Sequence, residues 1–244
     1  MEPEAQRSTY DVVIVGGAII GSSIAWFLSD NPDFDGSVLV VERDPTYTNA
    51  STSHTNSCMR QQFSNPLNIK MSQFAAEFVR NFRQFMHNDP EVPELAVNHF
   101  GYMYLADTQK FADTLQSNQV IQKANGAGTA IMTPAQIKAA YPFYNVDDII
   151  CGSHNLIDEG YFDGGTMFNT WRTKARQNGV EYLAAEVVDI TVDCDRATAV
   201  TLSTGQTIFC GTVVNAAGPR GSNVASLVGL DLPIEPRKRF TFVF

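Results

Sequence analysis

The chain has 244 residues, 44% of them hydrophobic, and a formal net charge of −9. That length and apolar content can build a sizeable core, in one large domain or two interleaved ones. The acidic balance disfavours nucleic acid, whose phosphates need a basic footprint, and no apolar stretch approaches the roughly 18–20 residues of a membrane span. Residues 1–7 carry two acids and no apolar run, so they read as neither a secretory signal nor a basic transit peptide. Cys58, Cys151, Cys194 and Cys210 have no metal-ligand spacing and are expected as reduced thiols, which points to a cytoplasmic protein. His87, His99 and His154 are scattered, so no metal site is expected.

The most informative segment comes first. Residues 11–15, Asp-Val-Val-Ile-Val, are expected as a buried strand that runs directly into Gly16-Gly17-Ala18-Ile19-Ile20-Gly21. A helix over 22–29 follows, then a second strand over 37–41 that ends at Glu42, about 20 positions after Gly21. This strand–turn–helix–strand–acid order is that of a Rossmann dinucleotide-binding unit. Each part has a separate physical task. Gly16 permits the tight turn, and the helix N-terminus offers free N–H groups and positive dipole to a diphosphate. Gly21 lets the helix sit close on the sheet, and Glu42 accepts from a ribose hydroxyl. Ala18 stands where the three-glycine fingerprint has its second glycine, with Gly17 beside it keeping the turn flexible.

Beyond Glu42, residues 48–56 form a polar loop rich in Ser and Thr. Helical periodicity over 67–86 places Ile69, Phe74, Phe78, Phe82 and Phe85 on one face, until Pro90 and Pro93 stop it. A strand is expected over 100–106 and a helix over 108–124. After the breaks at Gly126 and Gly128 come a short strand over 130–132 and a helix opened by Pro134. A helix over 166–178 follows Asp163-Gly164-Gly165 and is closed by Gly179. Short strands are expected over 180–183, 187–192, 197–202 and 207–209, with Gly205 turning between the last two. Residues 212–218 read as a separate buried strand ending in Asn215-Ala216-Ala217-Gly218. Its small side chains let backbone approach a dinucleotide at the carboxyl edge of the sheet. A linker over 231–233 leads to the start of another strand at 239–244. An apolar strand left there would present an unpaired edge, so the chain is expected to be truncated.

Taken together, these residues resemble the FAD-dependent D-amino-acid oxidase superfamily. Ala50-Ser51-Thr52, residues 60–64 (Arg-Gln-Gln-Phe-Ser), 158–163 (Asp-Glu-Gly-Tyr-Phe-Asp) and 235–240 (Glu-Pro-Arg-Lys-Arg-Phe) resemble more narrowly its FAD-dependent oxidoreductase domain-containing protein 1 branch and bacterial relatives. The resemblance implies an α/β chain: a Rossmann-like FAD-binding domain of the GR2 type, interleaved with an α+β substrate domain on an antiparallel sheet. The FAD-binding domain would take 1–92 and 151–231, and the substrate domain 93–150 and 232–244. Asp163 is followed by Gly164 where relatives usually carry proline, which leaves the start of the helix after it open.

The implied activity is oxidation of the C–N bond of a small amino acid or secondary amine to an imine. Oxygen, a quinone or an electron-transfer flavoprotein would take the electrons. Arg60 is the candidate carboxylate clamp, since a guanidinium grips a carboxylate through two parallel hydrogen bonds; the alternative is an ion pair with an interface acid. Gly16, Gly17, Ala18, Ile19, Ile20 and Gly21 would line the diphosphate, and Glu42 the adenosine ribose. Arg43 would border the adenine or stay solvated. Ser51 and Thr52 would donate to the diphosphate or cap a helix. His54 would touch the flavin, bond to it covalently as in dimethylglycine and sarcosine dehydrogenases, or serve only as a polar loop residue. Val187 would present backbone to adenine or fill the core, and Ala216, Ala217 and Gly218 would pass beside the cofactor. Two other readings stand beside this one: a flavoprotein that mainly assists assembly of a respiratory complex, and an NAD-dependent dehydrogenase.

Overall fold

The computed structural model describes residues 4–242. In chain order the elements are β1 (Thr9–Val15), α1 (Ile19–Asp30), β2 (Val38–Glu42), β3 (Cys58–Met59), α2 (Pro66–Arg80), α3 (Phe82–Phe85), β4 (Val97–Asn98) and β5 (Tyr102–Ala106). Next come α4 (Gln109–Ala124), β6 (Ala130–Met132), α5 (Pro134–Ala140), β7 (Cys151–Asn155), β8 (Gly160–Phe162) and α6 (Gly164–Gln177). The last are β9 (Glu181–Ala184), β10 (Val187–Asp193), β11 (Arg196–Leu202), β12 (Thr207–Asn215) and α7 (Gly221–Ser226). No helix among the described residues is long and apolar enough to cross a membrane.

Two compact units share the chain: Met1–Thr55 with Gly165–Phe244, and Asn56–Gly164. Residues 56–92 and 151–164 group with the middle of the chain. The reason is strand pairing: β8 lies between β3 and β4, and β7 between β5 and β6.

The first unit is built on one six-stranded sheet in the order β10-β11-β12-β1-β2-β9. Its β12, β1, β2 and β9 are parallel, and β10, β11 and β12 are antiparallel neighbours. A strand buried on both faces reads as a continuous apolar run, and Val13, Ile14, Leu39 and Val40 are all fully buried. On α1, Ala25 and Trp26 are buried, and Trp26 stacks on Trp171 of α6 at 6.4 Å. The two strands expected over 207–209 and 212–218 are one. β12 continues through Gly211, where an added Cβ would lie 3.0 Å from the carbonyl oxygen of Asp11, so glycine lets β12 and β1 run close together. α6 starts at Gly164 rather than 166. Residues 231–242 form no strand, contrary to the expectation at 239, and 243–244 lie outside the described residues.

The second unit holds two three-stranded antiparallel sheets, β5-β7-β6 and β3-β8-β4. Its helices are capped by their sequence. Asn65 accepts from the Leu67 N–H ahead of α2, Thr108 caps α4, and Thr133 with Gln136 forms a capping box on α5. The single helix expected over 67–86 breaks at Asn81, which leaves helical geometry at φ −109° and ψ 28°. The aromatic face continues across the break, with Phe78 against both Phe82 and Phe85.

Candidate functional site

The turn between β1 and α1 is held open to a ligand by what surrounds it. Gly16 has φ +99°, a region that side-chain-bearing residues avoid, and a Cβ there would lie 2.6 Å from the carbonyl oxygen of Ala216. The end of β12 is therefore locked against the turn, and Ala216 also donates its N–H to Val15 O at 2.9 Å. A Cβ on Gly21 would fall 1.9 Å from Gly16 O, so that glycine is required for α1 to start this close to β1. Ala18 sits in extended geometry at φ −70°, which alanine adopts without strain.

The backbone amides of the turn divide into used and unused groups. Gly16 N–H donates to Val41 O, and Gly17 N–H donates to Glu42 Oε2 at 2.8 Å. Ile19 N–H donates to Thr52 Oγ1 at 3.2 Å. Ala18, Ile20 and Gly21 donate no backbone N–H bond to any described residue. Four N–H groups at a helix start have no partner within the helix, and here three stay free at the positive end of a twelve-residue helix. Such a set fits a diphosphate. Glu42 completes the fit, because among the described residues its carboxylate accepts only from Gly17 and Asp44 N–H. Lone pairs remain for a ribose diol.

Of the other expected residues, Thr52 reaches the same turn. Thr52 lies in a short 3-10 segment, Ser51–His54, whose placement beside Ile19 is a cap from outside the helix. Ser51 is exposed on that segment. His54 is exposed too, its Nε2 bonded to the carbonyl oxygen of Thr48 at 2.8 Å. Arg43 faces Glu186 at 3.8 Å, and Ala185 N–H bonds Glu42 O, so the segment leading into Val187 runs beside the end of β2. Val187 itself is buried in the sheet core opposite Leu202. Ala217 N–H is bonded to Asn215 Oδ1, and Gly218 turns at φ +56° with nothing within 4 Å of an added Cβ, leaving space above it.

Tyr47 and Arg172 escaped the sequence reading. A Cβ on Gly17 would come 3.1 Å from the Tyr47 hydroxyl, and the Arg172 guanidinium lies 5.2 Å over the Tyr47 ring. Burial pushes the Tyr47 phenol up from its ordinary pKa. The sequence hint was slight: one aromatic directly ahead of a polar loop.

Arg60 belongs to the second unit. It follows β3, and its guanidinium lies over two rings, 5.2 Å from Phe63 and 5.6 Å from Tyr102. It makes no hydrogen bond or ion pair with the described residues. Beneath it is a polar network that hydrophobic patterning did not reveal. Glu159, fully buried, accepts from Gln61 N–H at 2.6 Å, Gln62 Nε2 at 2.9 Å and Asn155 Nδ2 at 2.9 Å. Burial raises its pKa, while these hydrogen bonds and the Arg60 charge pull the other way.

The family profile described as "DAO: FAD dependent oxidoreductase" matches residues 11–244. FAD-dependent oxidoreductase domain-containing protein 1 of Xenopus laevis is 38% identical, covering 96% of this chain and 53% of that protein. Sarcosine oxidase subunit beta of an Arthrobacter species is 27% identical, over 96% of this chain and 56% of its own length. The structure of L-proline dehydrogenase from P. horikoshii superposes with a TM-score of 0.76 at 23% identity, covering 91% of this chain and 56% of that one. The chain thus spans about half the length of these relatives. With a profile match across nearly its whole length and a dinucleotide turn of the required form, the chain belongs to the DAO family of FAD-dependent oxidoreductases.

Proposed function

We propose that the complete protein oxidises the C–N bond of a small amino acid or secondary (N-methyl) amine to an imine, which water then hydrolyses. When bound, FAD supplies the hydride acceptor for that step. Ala18 and Ile20 N–H would hold its diphosphate, and Glu42 its adenosine ribose. Arg43, Ser51, Thr52, His54, the Val187 backbone, and Ala216 to Gly218 are proposed to line the rest of the cofactor.

The observation that carries the substrate reading is Arg60. A half-buried guanidinium on two aromatic faces, with no acceptor among the described residues, offers a planar fork of donors to an incoming carboxylate. The names of the relatives point the same way: the Arthrobacter protein is a sarcosine oxidase subunit, and a Mus musculus relative 26% identical to this chain is a sarcosine dehydrogenase.

A turnover screen of the full-length protein with N-methyl amino acids tests the proposal. Bleaching of the flavin at substrate-like rates supports it. A flavoprotein that none of these substrates reduces would favour an assembly role over an enzymatic one.

A further inference from the structure

The two residues that follow Arg60 in the chain are tied down by one buried network. Gln62 Nε2 donates both to Tyr102 O at 2.8 Å and to Glu159 Oε2, and its Oε1 accepts from Ser153 Oγ at 2.7 Å. Gln61 donates its side-chain amide to Ile157 O at 3.3 Å and accepts from Gln73 Nε2 at 3.1 Å. Every group facing the Glu159 oxygens in these bonds is a donor, the pattern that an ionised carboxylate satisfies and an amide or protonated acid would not. Gln61, Gln62, Ser153, Asn155 and Glu159 are all buried, and none of them reaches Arg60 with a hydrogen bond. They touch instead its chain neighbours and Tyr102, whose ring carries the guanidinium.

Hydrophobic packing alone would bury this loop more cheaply, since each buried polar group must find its partner or cost stability. What the network provides is a fixed direction for residue 60. Gln61 and Gln62 are fastened to Glu159, and Gln62 also to the carbonyl of Tyr102, so the Arg60 backbone and the ring beneath its side chain move as one piece.

We propose that Glu159 is a positioning residue for carboxylate recognition: through Gln61, Gln62 and Tyr102 it holds the Arg60 guanidinium in the orientation that receives a carboxylate. This rests on the reading of Arg60 as the substrate clamp. Glu159 touches neither substrate nor cofactor in this account. Its contribution is to substrate affinity, with little effect on FAD.

Acetate, a bare carboxylate, is the probe. It is titrated into the full-length FAD-loaded protein and followed by perturbation of the flavin spectrum, in wild type, Arg60→Lys, Glu159→Gln and the double variant. Glu159→Gln puts an amide N–H₂ against donors, and the expected result is about tenfold weaker acetate binding, the equivalent of one hydrogen bond to a charged group. FAD content stays unchanged, and KM for a carboxylate substrate rises while kcat holds. In the Arg60→Lys background the same change adds less than about twofold, because the fork it aligns is already gone. An unaltered acetate affinity in Arg60→Lys removes the clamp and this proposal with it. A weakened Arg60→Lys beside an unchanged Glu159→Gln removes this proposal alone. An equal loss in both backgrounds marks a general structural effect and also overturns it. Should Glu159→Gln not accumulate as folded flavoprotein, Asn155→Ala, which withdraws one of the three donors, goes through the same cycle under the same criteria.

Discussion

Glu42 Oε2 accepts the Gly17 N–H at 2.8 Å, which ties the acid at the end of β2 directly to the glycine turn at the end of β1. The same carboxylate accepts the Asp44 N–H through its other oxygen. Glu42 thus fixes the shape of the turn as well as offering acceptors to a ribose. Replacing it by Gln puts an amide N–H₂ opposite one of those two N–H donors. A hydrogen bond to a charged group contributes about 1.5–3 kcal/mol, so FAD affinity of Glu42→Gln should fall about 10- to 150-fold. Quenching of flavin fluorescence on titration into apoprotein measures it.

Gly16→Val should abolish FAD retention. The side chain meets Ala216 O at 2.6 Å, and a β-branched residue at φ +99° is strained wherever it points. Ala18→Gly is the control, since Ala18 is unstrained and faces no such clash; that variant should purify with its full flavin. A yellow Gly16→Val protein would refute the placement of the cofactor.

Much of this was legible from the chain, and the physical reason is specific. β1 and β2 are buried on both faces and show as unbroken apolar runs, and Gly16 and Gly21 of the turn are dictated by backbone clashes that no side-chain-bearing residue relieves. β7 was not legible. Cys-Gly-Ser-His-Asn has no apolar alternation, yet all five residues are buried, because Ser153 and Asn155 bond to Gln62 and Glu159 instead of to water. Arg60 could be singled out by type and resemblance, whereas its aromatic seat depends on Tyr102, 42 positions away in the chain and brought near only by the β5-β7 pairing.

Tyr182 gives a pH signature. Burial is the main cause that pushes its phenol up to about 12 from an ordinary 10, with its hydroxyl bonded to Ser22 Oγ at 3.1 Å and Tyr47, Arg176 and Arg172 nearby. The folded protein therefore keeps a proton that the unfolded chain loses near pH 10. Stability is intact below that value and declines as pH rises from about 10 towards about 12. Tyr182→Phe should be less stable at neutral pH through the lost hydroxyl bond, but its alkaline decline should be shallower than wild type. Denaturant midpoints at pH 8, 10 and 11.5 compare the slopes, and parallel slopes would contradict the assignment.

Gln62→Leu should destabilise the second unit. It leaves Tyr102 O, Glu159 Oε2 and Ser153 Oγ each without the partner it has now. At about 1–3 kcal/mol per unsatisfied group, the loss should be at least about 3 kcal/mol, or a melting temperature lower by about 6–12 °C for a chain of this size. Thermal unfolding followed by far-UV circular dichroism measures it; a shift under 1 °C would mean that the network is not closed as described.

The account turns on one claim: the β1–α1 turn holds FAD. Visible absorption of purified full-length protein, followed by acid precipitation and identification of the released cofactor, tests it most directly. The expected result is a yellow protein carrying about one FAD per chain, released into the supernatant. Flavin remaining with the precipitated polypeptide would contradict non-covalent binding, and a colourless protein that takes up no added FAD would contradict the central claim itself.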